Sequence, residues 1–469
     1  MARAVKPAGE QLADEIQREI EASAMDPGSI IASERDLRAT HDTGRSVLRQ
    51  AVRILESRGV VRMRRGQHGG LVVQQPGPEA AARSLAILIE SELQNPNDLR
   101  ELLKASDNQI FTRDLTRISI ADFRELRALA AHLDSISSEE FGKVSGHRML
   151  LDAVRRAIPD PALALAQWTC LECGIDLTPA RPHAIGERTR SEFWTLSVQC
   201  LEAMIAQDIS RLFEIRLRQY RIMDDSLREW PIDAPANNPE PLRQRDYANV
   251  SSPKSRADIL TREILRDARS LGWQEGARLG SAGDLIDRYG VSLLVLRQAV
   301  RVLEECAAVR MERGRHGGLF IAKPSRETAI TRARYHLRMA GLSGVDARSF
   351  LLELLLACLS MARSRATPAA LEACRNAVDA ARAPILTDVG ETHQLCSAIA
   401  GLAANPALAI FIEVLQEFAM VRHTKPARKR TTPWPELKEM YETLLSRDNA
   451  FARRALLQYF ETGSEASRP

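Results

Sequence analysis

The chain has 469 residues with a net charge of only +4, 65 Lys and Arg against 61 Asp and Glu, so any nucleic-acid surface must be local. That length exceeds one ordinary domain and fits roughly two to four. Aromatic residues make up 5% of the chain, and abundant Ala, Leu, Arg and Glu favour helix. The most apolar run, "FLLELLLACLSM" from Phe350, is short and contains Glu353, so it reads as a buried helix rather than a bilayer span. The N-terminus lacks the apolar core of a signal peptide, and seven scattered cysteines do not form a disulfide framework. These features place the chain in the soluble, cytoplasmic class.

In chain order, "GEQLADEIQREIEAS" sets Leu12, Ile16 and Ile20 at helical spacing beneath a charged outer face. "DPGS" at Asp26 to Ser29 breaks that helix. "SERDLRATH" is a second short helix, N-capped by Ser33. A third runs from about Arg45 to Ser57 and turns Val47, Ala51, Ile54 and Leu55 inward. "GVVRMRRGQHGGLVV" follows as two short strands around a tip holding Gly66, Gly69 and Gly70. Three helices and a two-stranded wing make a winged helix-turn-helix.

Arg45 and Arg49 stand one helical turn apart at the leading end of the third helix. A guanidinium there can present its planar fork to guanine in the major groove. The run Arg45–Arg65 contains seven arginines against one acid, Glu56. Arg62, Arg64 and Arg65 load the wing, where glycines let backbone approach phosphate or enter the minor groove.

The same pattern returns. "VLRQAVRILESRGVVRMRRGQHGGLVV" from Val47 is answered by "VLRQAVRVLEECAAVRMERGRHGGLFI" from Val295, and one offset carries Ser33 to Ser281, Arg49 to Arg297 and Gly70 to Gly318. A gapless long-period match is the mark of module duplication rather than a solenoid. It fades downstream, where "PDPALAL" from Pro159 pairs with "ANPALAI" from Ala404, and "LEAMIAQD" with "YETLLSRD". The intervening "PIDAPANNPEPLRQRDYANVSSPKS" from Pro231 is aperiodic, rich in Pro, Asn and Ser, and reads as a linker.

The stretch from Ala32 to Val73 resembles the DNA-binding domain of GntR-superfamily bacterial transcription regulators. The resemblance lies in the Ser-Glu-Arg of the second helix, the Arg-x-x-x-Arg of the third and the Arg/Gly wing, and it spans about residues 8–75 and 256–323. It implies DNA contacts by Ser33, Arg35, Arg45, Ser46, Arg49, Arg64, Arg65, Gly66, His68 and Gly69. In the second copy it implies contacts by Ser292, Arg297, Arg313, Gly314, Arg315 and His316. Asp42 departs from the family pattern, standing where a turn glycine is usual, and a carboxylate there is expected to cost turn geometry and some DNA affinity. The second copy departs more. Ala282-Gly283 replace Glu34-Arg35, and Leu293 replaces Arg45, while Gly290 restores the usual turn residue.

Each head precedes about 150 residues of apolar periodicity. In the first half this gives helices near 79–94, 97–117, 119–136, 138–158, 161–177, 186–207 and 208–230; the second half repeats the plan over 326–462. Following such a head, these segments resemble the FadR-like (FCD-type) effector domain, a helical bundle around a ligand cavity. Many such domains bind a metal through Asp and three His. The corresponding positions here are Leu151, Ser197 and Gln219, then Cys396, Leu437 and Tyr459, which is no metal-ligand set. His147 and His393 read as isolated histidines, and Cys170 and Cys173 as buried packing.

The expectation is a mainly α protein with two winged helix-turn-helix domains, each followed by an all-helical effector-type bundle. Its boundaries are a first head over 1–78, a first bundle over 79–230 and a linker over 231–254. A partly degenerate second head covers 255–324, and a second bundle 325–469. The function expected is a sequence-specific DNA-binding transcription regulator, a ligand-responsive repressor with two unequal heads. The alternative is an architectural or partner-binding protein that keeps its winged helices for protein contacts. No P-loop, GxSxG or dinucleotide-binding glycine turn is present, so no enzyme and no cofactor are expected. The partners expected are double-stranded DNA and a small organic effector, with no membrane. Arg148 and Arg216 are candidates to pair with an acidic effector, although a solvated helix face is the ordinary fate of each. The duplication implies an intramolecular pseudo-dimer, with pairing of two chains left open.

Overall fold

The computed structural model describes residues 8–23, 25–64, 69–74, 78–93, 95, 97–112, 118–135, 160–173, 187–228, 255–312, 314, 317–380 and 389–422. It is mainly helical, with two small antiparallel sheets.

Helix α1 (Ala8–Ala22) buries Leu12, Ala13, Ile16 and Ile20, the stripe expected from its periodicity. Helix α2 (Glu34–Thr40) starts where Ser33 accepts a hydrogen bond from the Asp36 amide at 3.2 Å. Helix α3 (Arg45–Ser57) packs on α1 through Leu48, Ala51 and Leu55. Strands β1 (Val61–Arg64) and β2 (Gly70–Val73) pair from Val61↔Val73 to Arg64↔Gly70. Gly70 has to be glycine, because a Cβ there would lie 2.7 Å from the backbone oxygen of Ala32.

Five more helices correspond to the first-half periodicities, after α4 (Pro78–Glu92): α5 (Asn97–Thr112), α6 (Ile120–Ser135), α7 (Pro161–Glu172), α8 (Glu187–Ile205) and α9 (Ile209–Arg228). The helix expected over 138–158 lies outside the described residues. Next come α10 (Arg256–Ser270), β3 (Arg278–Gly280), α11 (Ala282–Tyr289), α12 (Leu293–Glu305), β4 (Val309–Glu312) and β5 (Gly318–Ile321). The β4–β5 register runs from Val309↔Ile321 to Glu312↔Gly318, each residue 248 positions beyond its β1–β2 counterpart. This sheet has three strands in the order β3-β5-β4, where two were expected. In the first half, Ile30, the counterpart of Arg278, forms only an isolated bridge to Val72. The chain continues as α13 (Arg326–Met339), α14 (Gly344–Arg365), α15 (Pro368–Ala380), α16 (Val389–Leu402) and α17 (Pro406–Arg422). The apolar run at Phe350 lies within α14, where Phe350, Leu354 and Leu355 are fully buried. No described helix is long and apolar enough to cross a membrane.

The chain divides into two compact units, and the division does not follow the order of the sequence. Unit 1 joins Met1–Ile89 to Pro324–Ala404 and Ala409–Pro469. Unit 2 comprises Glu90–Lys323 with Asn405–Leu408. In unit 1, Tyr335 of α13 enters the core formed by α1, α3 and the β1–β2 hairpin, with Met339 packed beside it. Its hydroxyl donates towards the carbonyls of Val60 and Gln74 at 3.3 and 3.4 Å. Glu21, almost fully buried at the end of α1, pairs with Arg334 at 2.9 Å and Arg338 at 3.4 Å, both on α13. Its other oxygen accepts from the Gln17 amide at 3.1 Å.

In unit 2, α5 packs on α7 and α9, α8 packs on α6 and α9, and α10 packs on α12. Arg269 of α10 pairs with the buried Glu90 of α4, and Arg262 of α10 with Glu172 of α7 at 3.4 Å. All seven cysteines are buried and free, including Cys170 and Cys173. Burial pushes the Cys173 thiol far above its ordinary range, aided by the nearby Glu90.

Burial likewise raises the Glu90 carboxyl to about 7, although Arg269 and Arg262 oppose the shift. From about pH 4.5, the unfolded value, up to about 7 the folded chain therefore binds more protons at Glu90. This group's stabilising contribution is present below that window and is lost as pH rises through it. Relative to a Glu90→Gln variant, the wild-type unfolding midpoint should fall across the same window. Parallel thermal melts at stepped pH test this, and identical pH profiles for the two proteins would refute it.

Candidate nucleic-acid interface

Helix α3 has one face in the core, so the opposite face is solvent-exposed along its length. Arg45, Ser46, Arg49, Gln50 and Arg53 are all exposed. Arg45, Arg49 and Arg53 recur every four residues and form a ridge of guanidinium groups along one side. Arg53 was not among the expected contacts, although its spacing already placed it on this ridge.

Helix α2 supports the leading end. Glu34 accepts from Arg45 Nε at 3.2 Å, which positions the arginine while leaving it open to solvent. That carboxylate, read in the sequence only as part of a motif, is a positioning group for Arg45. Ser33 is occupied as the cap of α2, its hydroxyl also donating to Asp36 at 2.7 Å. Arg35 is exposed on the first turn of α2. Arg62 and Arg64 are exposed on β1, the partly buried Gly69 leads into β2, and Arg65, Gly66 and His68 lie outside the described residues.

The turn between α2 and α3 carries the residue that departs from the family pattern. Asp42 takes a left-handed conformation with φ 42°. Gly290, at the matching place between α11 and α12, has φ 62° and ends its helix without strain. The turn geometry expected to suffer is therefore kept, with a non-glycine residue held at positive φ. Beside it, His41 sits between two carboxylates of α1, with Nδ1 3.9 Å from Glu15 and Nε2 3.6 Å from Glu19. These three form the one group with metal-ligand convergence among the described residues, and sequence reasoning did not single it out.

The second set presents different chemistry. Ser292 caps α12, and Arg297 is exposed like Arg49. The positions matching Arg45 and Ser46 are Leu293 and Leu294, which are 43% and 66% exposed and offer no hydrogen bond. On β4, Glu312 stands where β1 has Arg64, and it pairs with Arg310 at 2.9 Å. That exchange, readable in "RMERG" against "RMRRG", puts an acid where the first wing has an arginine. Gly314 has φ 115°, while Arg313, Arg315 and His316 lie outside the described residues.

A second polar cluster lies inside unit 2. Arg216 is buried rather than on the solvated face expected of it. It donates to Gln219 at 2.6 Å and to the Tyr220 hydroxyl at 3.2 Å, and Gln219 donates to Ser197 at 3.1 Å. Lys104 of α5 lies 5.7 Å from the Tyr220 ring centre. Ser197 and Gln219, two of the positions aligned with family metal ligands, are thus joined by an ordinary hydrogen bond. Cys396 is buried with its thiol raised to about 12, and His393 lies 3.4 Å from Ser397. Leu151, Leu437, Tyr459, His147 and Arg148 fall outside the described residues.

Residues 8–71 match the model of the family described as "Bacterial regulatory proteins, gntR family". This segment is a GntR-type helix-turn-helix domain, and the function class it carries is DNA-binding transcription regulation. Among solved structures, similarity is found to a GntR protein of Streptococcus agalactiae, at 17% identity and a TM-score of 0.29 over 46% of this chain and 99% of that one. A GntR-family regulator of Pseudomonas syringae pv. tomato str. DC3000 matches at 19% identity and 0.23, over 45% and 83%. A protein described as a GntR transcriptional regulator from Rhodococcus sp. RHA1 matches at 22% and 0.20, over 45% and 98%. No curated protein matches the chain.

Because Asp42 carries a Cβ in a left-handed turn, Asp42→Gly should relieve strain and raise stability by about 1 kcal/mol. Chemical denaturation of the full chain measures the change. A loss of stability would mean that the Asp42 side chain itself holds the turn.

Proposed function

We propose that this protein is a ligand-responsive transcription regulator, a repressor acting on chromosomal DNA in the cytoplasm, with two unequal DNA-binding heads on one chain. The reading rests on one observation above others: Arg45, Arg49 and Arg53 form an exposed ridge on the third helix of a head that matches the gntR family over residues 8–71. Docked in the major groove, α3 brings Arg45 and Arg49 to base edges, with Arg35 and Ser46 at its entry. Arg64, Arg65, Gly66, His68 and Gly69 would meet the sugar-phosphate backbone or the minor groove.

The second head is a winged helix-turn-helix derived by duplication, with its own wing of Arg313, Gly314, Arg315 and His316. The shared strand register and the αL turn at Gly290 support this reading. It keeps Arg297 and Ser292 but offers Leu293 for contact with a thymine methyl group rather than a guanine fork. The exposed Leu293–Leu294 pair also favours a second reading for this head alone, protein contact instead of DNA contact. A footprint with one half-site strongly protected and the other weakly protected supports two unequal heads; a single protected half-site favours the second reading.

The helical segments, over 79–230 and 325–469, act as FadR-like effector bundles, and the two halves do the work of two subunits. The buried Arg216, with Gln219, Ser197 and Tyr220, is the place where an acidic organic effector would exchange for internal hydrogen bonds. Effector release of DNA requires unequal affinity for the two conformations, and the coupling is reciprocal.

On a site selected from the genome, Arg45→Ala or Arg49→Ala should cost about 1–3 kcal/mol and relax base preference. Arg64→Ala should weaken all duplexes alike and lower the salt dependence by about one counterion. Titrations at several salt concentrations separate the two effects. Unchanged affinity in Arg45→Ala would remove α3 as the reading helix.

A further inference from the structure

The offset of 248 residues that aligns the two heads also aligns two ion pairs, each built on a buried carboxylate, with the charges exchanged. It carries Glu21 of α1 to Arg269 of α10, and Glu90 of α4 to Arg338 of α13. Unit 1 thus holds a head carboxylate against a bundle guanidinium, Glu21 with Arg338. At the corresponding place, unit 2 holds a head guanidinium against a bundle carboxylate, Arg269 with Glu90. Local helix electrostatics does not explain the exchange. All four residues lie in or near the last turn of their helices, where the macrodipole favours a cation, yet each pair puts a carboxylate at one such end.

The exchange has a consequence for assembly. If the first head sat on the helices of its own half, Glu21 would face Glu90, and Arg269 would face Arg338. Glu21 and Glu90 are each at most 7% exposed, so two carboxylates would meet with little water to screen them, and one would have to take up a proton. The Arg269–Arg338 encounter is milder, because Arg269 is 45% exposed. Arg334, the second partner of Glu21, fits the same logic, because its counterpart in the first half is the uncharged Ala86.

We propose that these two pairs of opposite polarity are a recognition code that seats the first head on the second bundle and the second head on the first. The inference rests on the duplication reading above and adds the partner of each head. A buried ion pair is weak evidence for stability but can select among packings, and here the rejected packing is the one that uncoded duplication would allow equally. The code also wires the signal: an effector in one bundle acts on the head of the other half.

The seating can be read without DNA, so its failure is distinct from failure of the DNA-binding reading. Met339 of α13 packs beside the first head's core, so a photo-crosslinking benzophenone residue placed at 339 in the full chain reports which head lies there. The experiment is run at mildly alkaline pH, where Glu90, titrating at about 7, is ionised. With natural charges the crosslinks should map to peptides within 8–73. In the head-exchange variant, Glu21→Arg with Arg269→Glu, crosslinks to peptides within 256–321 should rise about tenfold or more. Crosslinks that stay on the first head in this variant, with or without a lowered unfolding midpoint, would overturn the code. If the head-exchange chain does not fold, Arg338→Glu, Arg334→Ala and Glu90→Arg are added to restore opposite charges. Recovery of folding with crosslinks on the first head supports the code; no recovery overturns it.

Discussion

Burying the carboxylate of Glu21 is unfavourable unless opposite charge meets it, and that requirement shapes unit 1. The residue sits at the end of α1, where the helix macrodipole already disfavours an anion. Its compensation comes from more than three hundred positions away, through Arg334 and Arg338. Removing both arginines would leave the buried Glu21 carboxylate without its ion-pair partners, which is far costlier than never having had the pair. Tyr335, between the two arginines in sequence, fills the core of the head from the same helix and reaches the carbonyls of Val60 and Gln74. One turn of α13 therefore supplies both charge and volume to the first head. The head is not a self-sufficient module carried on a tether; part of its interior is contributed by the other half of the chain.

On the duplication reading proposed above, the two sets of elements differ mainly in exposed side chains. The inward residues of α3 and α12 match, and so do the exposed Arg49 and Arg297, whereas other exposed positions differ: Arg45 against Leu293, Ser46 against Leu294, Arg64 against Glu312. The pairing of Arg310 with Glu312 deepens the contrast, because an arginine already neutralised by its neighbour contributes less to counterion release. Conversely, the turn between α11 and α12 has glycine at 290, while the turn between α2 and α3 holds Asp42 at positive φ. If the two sets are copies, as proposed, the guanidinium-rich surface lies in one and the relaxed turn in the other.

Local features were legible in the sequence because local physics sets them. The bounds of α3, the Ser33 cap and the strands around the wing follow from helical period, capping chemistry and turn glycines. Arg45 and Arg49 could be placed on an exposed face for the same reason. The composition of the units was not legible, since nothing in the periodicity of α1 says which distant helix will cover Glu21. The burial of Arg216 was not legible for a related reason. A guanidinium reads as a surface group until Gln219 and Tyr220 are seen to satisfy it inside the bundle. Glu312 and the charge exchange between Glu21 and Arg269 were in plain view as letters, but their meaning needed the contacts.

The seat of the head also bears on how regulation can work. Helix α1 presents Glu21 to α13 and packs its apolar stripe against α3, so one rigid element touches both the bundle contact and the reading helix. Close-packed interiors do not deform smoothly, and a displacement of α13 must either carry α1 with it or break the pair with Glu21. The second choice exposes a buried charge mismatch and is strongly disfavoured. A bundle that changes shape around a ligand would therefore move its head as a body, altering the direction of the α3 arginine ridge rather than its internal geometry. If α3 reads DNA and the helical segments bind an effector, as proposed above, control by orientation with the reading surface left intact follows from this packing.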